Sequence, residues 1–532
     1  MISSIILASC LALPLASCSD SDAAPEQKDW STTTYFYSAD AAMQDTYYKP
    51  AVGYVGDPMP FFDPVAGDFK VLYLQDFRPN PEGTYHPIWG VSTKDAAHYT
   101  SLGELVSCGT KKSQDAAIGT GSTIYDEASK LYYTFYTGNK YLPTGDESAQ
   151  AVMVATSPDF KTWTKDRTFL LKGQDFGYDK TDFRDPFVFK GDDGKFHMLV
   201  STKKGGKGSL AEFVSDDLKN WTDNGVFMTM MWDRFYECPD LFKMGDYWYL
   251  VYSEIHHAIR RVQYFKGRTL DELKACTAND AGRWPDAHEG FLDSRGLYAG
   301  KTASDGTNRY LWGWCPTRSG KDNTAVGASP AEPEWGGNLV CYKLIQHEDG
   351  TLTLGQVDAV SEKYNQDVAV EVKESQNMTE ADGTYTLAGN AELPDAYMLM
   401  GRLGNHNKIS FTVTTSNEWD KFGISMVRGS DSKKYYTMVV NPENENNRKV
   451  NFEEQGVEGK GFIAGIDGYV FARPADNVYN ITIYTDNSIC VMYINDVCSY
   501  TNRIYGIQKN CWSIDSFNGA SVKVSNLKIS QY

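Results

Sequence analysis

The sequence predicts an all-β protein: a five-bladed β-propeller followed by a C-terminal β-sandwich. Three observations carry that expectation. Five aromatic-rich strand candidates recur along the chain, each stands second in a hairpin, and beyond about residue 360 the hairpin signature gives way to plain alternating strands. The recurring strands are "FKVLYLQ" from Phe69, "KLYYTFYTG" from Lys130, "KFHMLVSTK" from Lys195, "DYWYLVYSE" from Asp246 and "NRYLWGW" from Asn308. Their starts lie 61, 65, 51 and 62 residues apart. Aromatic and β-branched side chains at period two suit a half-buried pleated strand.

Each recurring strand follows a turn rich in Asp, Gly or Ser ("DPVAGD", "YDEAS", "KGDDG", "KMG", "SDGT"), and before each turn lies another short strand ("PFFD", "STIY", "FVFK", "DLFK", "AGKT"). That is a hairpin repeated five times. Between hairpins there is room for two more strands, as in "AQAVMVATSPDFKTWT". Four strands per unit and five units favour a propeller, because radial repetition packs small sheets face to face and leaves only short edges. A series of sandwiches with accidental spacing has no need of five matched hairpins. The best helical candidate is the short "LDELKACTA" from Leu270.

The second domain reads as "LPDAYMLMGRLGNHNKISFTVTTS", "FGISMVRG", "KYYTMVVNP", "YNITIYTDNSICVMYIND" and "SVKVSNLKIS", alternating strands of an antiparallel sandwich. Two domains also fit the length of 532 residues, too long for one ordinary core. The expected organisation is a signal peptide over 1–18, a linker over 19–33, the propeller over 34–360 and the sandwich over 361–532.

At the N-terminus an apolar run ends in Leu15-Ala16-Ser17-Cys18, a pattern that resembles a bacterial lipobox, after which the chain turns polar and acidic. Cys18 is therefore the expected lipidation site of an exported, outer-membrane-anchored lipoprotein. No later segment approaches the roughly 20 apolar residues that cross a bilayer, so the lipid is the expected membrane contact. A net charge of −18 argues against nucleic acid or an anionic membrane face as partner. Neutral ligands fit, and the 34 Tyr and 12 Trp offer platforms for sugar rings. The eight cysteines after Cys18 show no CxxC pair or Cys/His ladder, so neither zinc nor a disulfide framework is expected. The adjacent pair His256-His257 is expected in a loop.

Acidic residues fall in register on the repeat. "GYVGDPMPFFD" sets Asp57 before Pro58, "DFRDPFVFK" sets Asp185 before Pro186, and "YECPDLFK" sets Glu237 two residues before Pro239. Each carboxylate stands just upstream of the same strand of its unit. A propeller aims that end of the strand at one face of its axis, so three acids from three blades are expected to converge. Converging like charges cannot all stay ionised at ordinary cost, so at least one pKa is expected to rise. A protonated acid opposite an ionised carboxylate is the apparatus of glycosidic bond cleavage. An isolated Asp-Pro would read as a turn former; three in register read as a site.

At these residues the chain resembles glycoside hydrolase family 32, the invertase, inulinase and levanase family. The "RDP" of Arg184-Asp185-Pro186 and "ECPDLF" from Glu237 match its second and third acidic motifs. Further matches are "LYLQ" with Gln75, "HPIWGVSTKD" from His86, "GTGSTIYD" from Gly119, "FYTGN" ending at Asn139, "FLDSRGLYAGKTASDGTNRYLWGW" from Phe291 and "EWGGNLVCYKL" from Glu334. The resemblance implies cleavage of β-fructofuranosidic bonds in an oligo- or polysaccharide by a retaining double displacement, a chemistry that requires no metal or organic cofactor; the protein is expected to be a monomer. It implies Asp57 as nucleophile and Glu237 as acid/base. Asp185 would hold sugar hydroxyls and be kept ionised by Arg184. Gln75, Trp89, Ser122 and Trp335 are further candidates for the sugar pocket. Retention calls for Asp57 and Glu237 carboxyls roughly 5–5.5 Å apart, inversion for roughly 6.5–9.5 Å.

Two departures from the family pattern bear on the sugar. Gly56 precedes Asp57 where the family usually has Asn, and Met59-Pro60 replace Asn-Gly after Pro58; Cys341-Tyr342-Lys343 replace the Pro-Arg-Glu expected after "WGGNL". The alternatives are an inverting propeller glycosidase for arabinose or xylose chains and a glycan-binding surface lipoprotein without turnover.

Overall fold

The computed structural model describes residues 46–77, 86–141, 143–230, 235–254, 261–276, 289–321, 323, 335–429, 434–442, 450–455 and 471–532. The signal peptide, the linker, Cys18 and the His256-His257 pair lie outside them.

Five antiparallel meanders of four strands each form the first domain. Blade 1 is Tyr54–Asp63, Asp68–Asp76, Ile88–Thr93 and Thr100–Val106; blade 2 is Ala117–Asp126, Leu131–Asn139, Gln150–Ser157 and Thr164–Lys165. Blade 3 is Phe183–Lys190, Phe196–Lys204, Lys207–Ser215 and Thr222–Thr229, and blade 4 is Glu237–Met244, Tyr247–Glu254, Arg261–Gly267 and Glu289–Phe291. Blade 5 is Tyr298–Ser304, Arg309–Pro316, Gly337–Gln346 and Leu352–Gly355. The first strand of each blade touches the first strand of the next, and that of blade 5 touches that of blade 1, so five inner strands close a ring. One backbone pair, Val55 with Gly337, stitches blades 1 and 5 into a continuous sheet. The five recurring hairpins are the first two strands of the five blades. Leu270–Ala275 is helical, capped by the Thr269 side chain, which accepts from the Glu272 N–H at 3.1 Å.

Two sheets form the second domain. In one, Met378–Ala381, Thr384–Ala388, Ser521–Gln531, His406–Thr415, Val478–Asp486, Ile489–Ile494 and Cys498–Arg503 lie side by side, with Gln366–Val368 added to Ser521–Gln531. In the other the order is Val372–Gln376, Ala396–Arg402, Cys511–Phe517, Lys421–Met426, Tyr435–Val440 and Val450–Gln455. Their facing sides share a core that includes Met398, Ile424, Met438, Ile481, Met492 and Trp512.

The outer face of the first sheet packs Tyr484, Ile489, Val491 and Tyr493 against Trp312, Tyr342 and Leu354 of the propeller. Polar groups lock that seam. Arg503 donates to the carbonyls of Pro316 at 2.6 Å and Cys315 at 2.9 Å and to Asn338 Oδ1 at 2.7 Å. Asp293 of the propeller accepts from the Thr501 N–H, the Thr501 hydroxyl and the Ser499 hydroxyl at 2.8–2.9 Å. The chain passes between the domains through a short helix, Asp358–Lys363. Among the described residues none of the eight cysteines is in a disulfide and no helix is long and apolar enough to cross a membrane.

Candidate active site

Each inner strand carries one irregularity at the same place. Pairing with the second strand slips across Asp57-Pro58 in blade 1, Thr120 in blade 2, Asp185-Pro186 in blade 3, Cys238-Pro239 in blade 4 and Ala299-Gly300 in blade 5. These are β-bulges, which re-aim a side chain without ending the strand. The residue after the bulge position is Pro or Gly in all five: Pro58, Gly121, Pro186, Pro239, Gly300. Proline has no N–H for the ladder to miss, and a Cβ on Gly121 would lie 1.8 Å from the Phe135 carbonyl oxygen. Four bulge residues, Asp57, Asp185, Cys238 and Ala299, have φ between 31° and 57°. Such backbone costs on the order of 1–3 kcal/mol per residue and clusters at functional sites.

The bulges therefore build two tiers around the axis. One is Asp57, Thr120, Asp185, Cys238 and Ala299. The other, one residue upstream, is Gly56, Gly119, Arg184, Glu237 and Tyr298. A cavity of about 200 Å³ opens between them, lined by Asp57, Asp185, Glu237, Arg184, Cys238, Thr120, Gly119, Tyr298, Leu74, Ile118, His86, Asn139 and Trp335. At roughly 30 Å³ per liquid water it has room for about seven waters.

Hydrogen bonds fix the acids in place. Asp57 accepts from the Thr120 hydroxyl at 2.8 Å on one oxygen and from Trp314 Nε1 at 3.0 Å on the other. Glu237 accepts from Arg184 Nη2 at 2.9 Å and from the Tyr298 hydroxyl. Asp185 Oδ2 accepts from the Cys238 N–H at 2.9 Å, and the Asp185 N–H donates to Thr137 Oγ1 at 2.8 Å. Burial pushes the Asp185 carboxyl up to about 7; the field of Arg184 opposes the rise, and Glu237 and Asp57 add to it. The rise expected within the trio falls on Asp185, the carboxyl that Arg184 was expected to keep ionised: burial outweighs the guanidinium's field. The Cys238 thiol, buried and facing Asp57, Asp185 and Glu237, is pushed well above its ordinary value.

Of the eight residues that the sequence nominated for the site, five line the cavity: Asp57, Asp185, Glu237, Arg184 and Trp335. Arg184 departs from its expected partner. It donates to Asp182 at 2.7 Å and to Glu237, lies 3.9 Å from the centre of the Phe235 ring, and reaches Asp185 through its field. Gln75 is fully buried and donates to the Val52 carbonyl at 2.6 Å, behind the wall that its neighbour Leu74 presents to the cavity. Trp89 packs edge-on against Phe77. Ser122 ties blade 2 to blade 3, donating to the Pro186 carbonyl at 2.9 Å and accepting from the Val188 N–H at 2.8 Å.

The structure explains the missing Asn at position 56. A Cβ on Gly56 would lie 2.1 Å from the Trp335 ring, which in turn stacks on His86 with centroids 3.9 Å apart at 19°. Tryptophan fills the space that a side chain at position 56 would need. Met59, where the family has Asn, is buried, and its sulfur accepts from the Gly121 N–H at 3.1 Å. Thr120, Tyr298, Trp314, His86 and Asn139 were not singled out from sequence. Aligning the five inner strands on their Pro or Gly step would have flagged Thr120 and Tyr298, which occupy the same two positions as the acids. Among the described residues no group of three His, Cys, Asp or Glu is arranged to hold a metal ion.

The fold and the cavity place the molecule in the propeller-plus-sandwich class. Solved structures of that architecture superpose over almost the whole chain. They include sucrose-6-phosphate hydrolase from Lactobacillus gasseri (TM-score 0.67, 18% identity, 93% of this chain and 95% of that one). Fructan 1-exohydrolase IIa from Cichorium intybus is another (TM-score 0.67, 16% identity, 92% and 97%). The model of the glycosyl hydrolases family 32 N-terminal domain matches residues 47–357, and the model described as GH32, BT1760-like, C-terminal domain matches 350–529. The chain belongs to glycoside hydrolase family 32. An insoluble beta-fructofuranosidase isoenzyme of Arabidopsis thaliana is 27% identical over 311 residues, 53% of this chain and 50% of its own length. Fructan 6-exohydrolase of Beta vulgaris is 25% identical over 287 residues, 50% and 46%. The chain thus spans about half the length of the curated relatives it matches.

Proposed function

We propose that this protein is a retaining β-fructosidase that hydrolyses fructans or fructo-oligosaccharides. The observation that carries the reading is the convergence of Asp57, Asp185 and Glu237, from three blades, on one cavity of about 200 Å³. Asp57, with both oxygens held by Thr120 and Trp314, attacks the anomeric carbon and forms a covalent fructosyl-enzyme. Glu237, steered by Arg184 and Tyr298, protonates the departing oxygen and then takes a proton from the water that releases the sugar. Asp185 grips ring hydroxyls next to the oxocarbenium-like transition state, where a buried carboxylate acts at low dielectric. Trp335 and His86 give the sugar an aromatic wall. The lipobox-like Leu15-Ala16-Ser17-Cys18 supports an exported lipoprotein anchored through Cys18. Loss of palmitate incorporation in Cys18→Ala would test the anchor.

Reducing-sugar release from levan, inulin and sucrose tests the activity, with Asp57→Asn and Glu237→Gln as controls. Release that vanishes in both variants supports the assignment. Retention of these glycans with no acid-dependent release would make the protein a binding lipoprotein, and release from arabinan or xylan instead would move it to another sugar class.

A further inference from the structure

One step further along each inner strand than the Pro or Gly lies a third tier: Met59, Ser122, Phe187, Asp240 and Lys301. Lys301 is the unexpected member, because its side chain is 2% exposed and a buried ammonium is costly unless its surroundings compensate. Its Nζ donates to the Gly121 carbonyl at 2.8 Å and lies 5.3 Å from the centre of the Phe187 ring. That bond runs from blade 5 to blade 2, blades separated by blade 1 in the ring. Gly121 follows Thr120, whose hydroxyl holds Asp57.

The charges around this amine are unbalanced. Asp57, Asp185, Glu237 and Asp240 come from blades 1, 3 and 4, with the Cys238 thiol among them; against them stand Arg184 at the cavity, Arg309 beside Asp240, and Lys301. Asp240 is buried and accepts from the Thr302 N–H at 2.7 Å and its hydroxyl at 2.6 Å. Burial pushes the Lys301 amine down, and the fields of Cys238, Asp240, Asp185 and Asp57 hold its proton on.

We infer that Lys301 is a positioning residue for the acid trio. Its buried positive charge offsets the mutual repulsion of the carboxylates, and its grip on the Gly121 carbonyl sets Thr120 against Asp57. The inference rests on the reading of that trio as the hydrolytic site.

Three substitutions separate charge from shape: Lys301→Gln keeps a donor for Gly121 and removes the charge, Lys301→Met removes both, and Lys301→Arg keeps the charge. Two readouts apply to each, the acid limb of the kcat/KM profile on levan and a substrate-free carbon-13 titration of the Asp carboxyls, with Asp185→Asn providing the assignment. Without the positive charge the carboxyls hold their protons to higher pH. In the Gln and Met variants Asp185 then titrates on the order of one pH unit higher, the acid limb moves up with it, and kcat falls about tenfold with KM within about twofold. The Arg variant keeps the wild-type limb. If the Gln and Met variants fold and Asp185 titrates as in the wild type, Lys301 is only a packing residue and the inference fails. If neither folds and the Arg variant does, the charge itself is required, which supports it; failure of the Arg variant as well overturns it. Should the wild type release no sugar from any glycan, the carboxyl titration still decides, so the two readings fail separately.

Discussion

Two buried aspartates in this molecule differ in how their oxygens are used. Asp293, at the seam between the domains, accepts from the Ser294 and Thr501 N–H groups on one oxygen and from the Ser499 and Thr501 hydroxyls on the other. Asp185, at the cavity, accepts from the Cys238 N–H on Oδ2 and borders open space. Burial pushes both carboxyls up. The protein surrounds Asp293 with donors so that it fastens two domains, whereas Asp185 faces a cavity whose occupant can supply hydroxyls. Burial and a perturbed pKa alone do not distinguish a site from a fastening; the destination of the lone pairs does.

Substitutions can break that contrast, and the largest effect belongs to the reacting acids. Asp57→Asn or Glu237→Gln is expected to lower kcat/KM on levan by at least about 10³-fold and shift Tm by only a few degrees, measured by sugar release and calorimetry on the same samples. Asp293→Ala should do the reverse. Four donors lose their acceptor, so unfolding in urea should show a loss of roughly 3–5 kcal/mol, with activity per folded molecule unchanged.

Asp185→Asn should stabilise the fold, by an amount that depends on pH. The folded-state pKa is raised from 3.8 to about 7, so the contribution of this carboxyl to stability is fully present below pH 4 and is lost as pH rises through about 7. Asparagine stays neutral, and at pH 8 the variant should exceed the wild type by about 2–4 kcal/mol, an advantage that disappears near pH 4. Equal stability of the two proteins at pH 8 would mean that Asp185 is ionised at little cost. The smallest effect belongs to the aromatic wall: Trp335→Ala should raise KM about tenfold, near 1.4 kcal/mol, with kcat little changed.

The fold was legible because its signal repeats. "FKVLYLQ" from Phe69 lies within the strand Asp68–Asp76, and "KFHMLVSTK" from Lys195 covers all but the last residue of Phe196–Lys204. A hydrophobic alternation seen five times cannot easily be an accident of composition. The acids were legible for a related reason: proline beside a carboxylate marks the bulge that aims it. Gln75 stands outside the cavity lining because its neighbour in the strand, Leu74, faces the cavity, and at period two adjacent residues point opposite ways. Trp89 and Ser122 come from motifs that hold packing residues as well as contacts, and in the structure they pack on Phe77 and tie blade 2 to blade 3. Of the partners of the acids, Thr120 and Tyr298 are marked only by their place beside the Pro or Gly step, and Trp314, which reaches Asp57 from the second strand of blade 5, carries no local mark. The ion pair of Arg184 with Glu237 was hidden likewise, since it joins residues 53 apart in the chain.

The Pro or Gly step in every inner strand has a consequence for how such a protein can change over generations. Because each blade turns its bulge with its own local device, the residue displayed there can be exchanged without rebuilding its neighbours. Blade 5 now displays only Ala299 and blade 2 only Thr120. The ring behaves as a set of interchangeable sockets, and new chemistry could enter through one codon at a bulge position that today holds only the methyl group of Ala299.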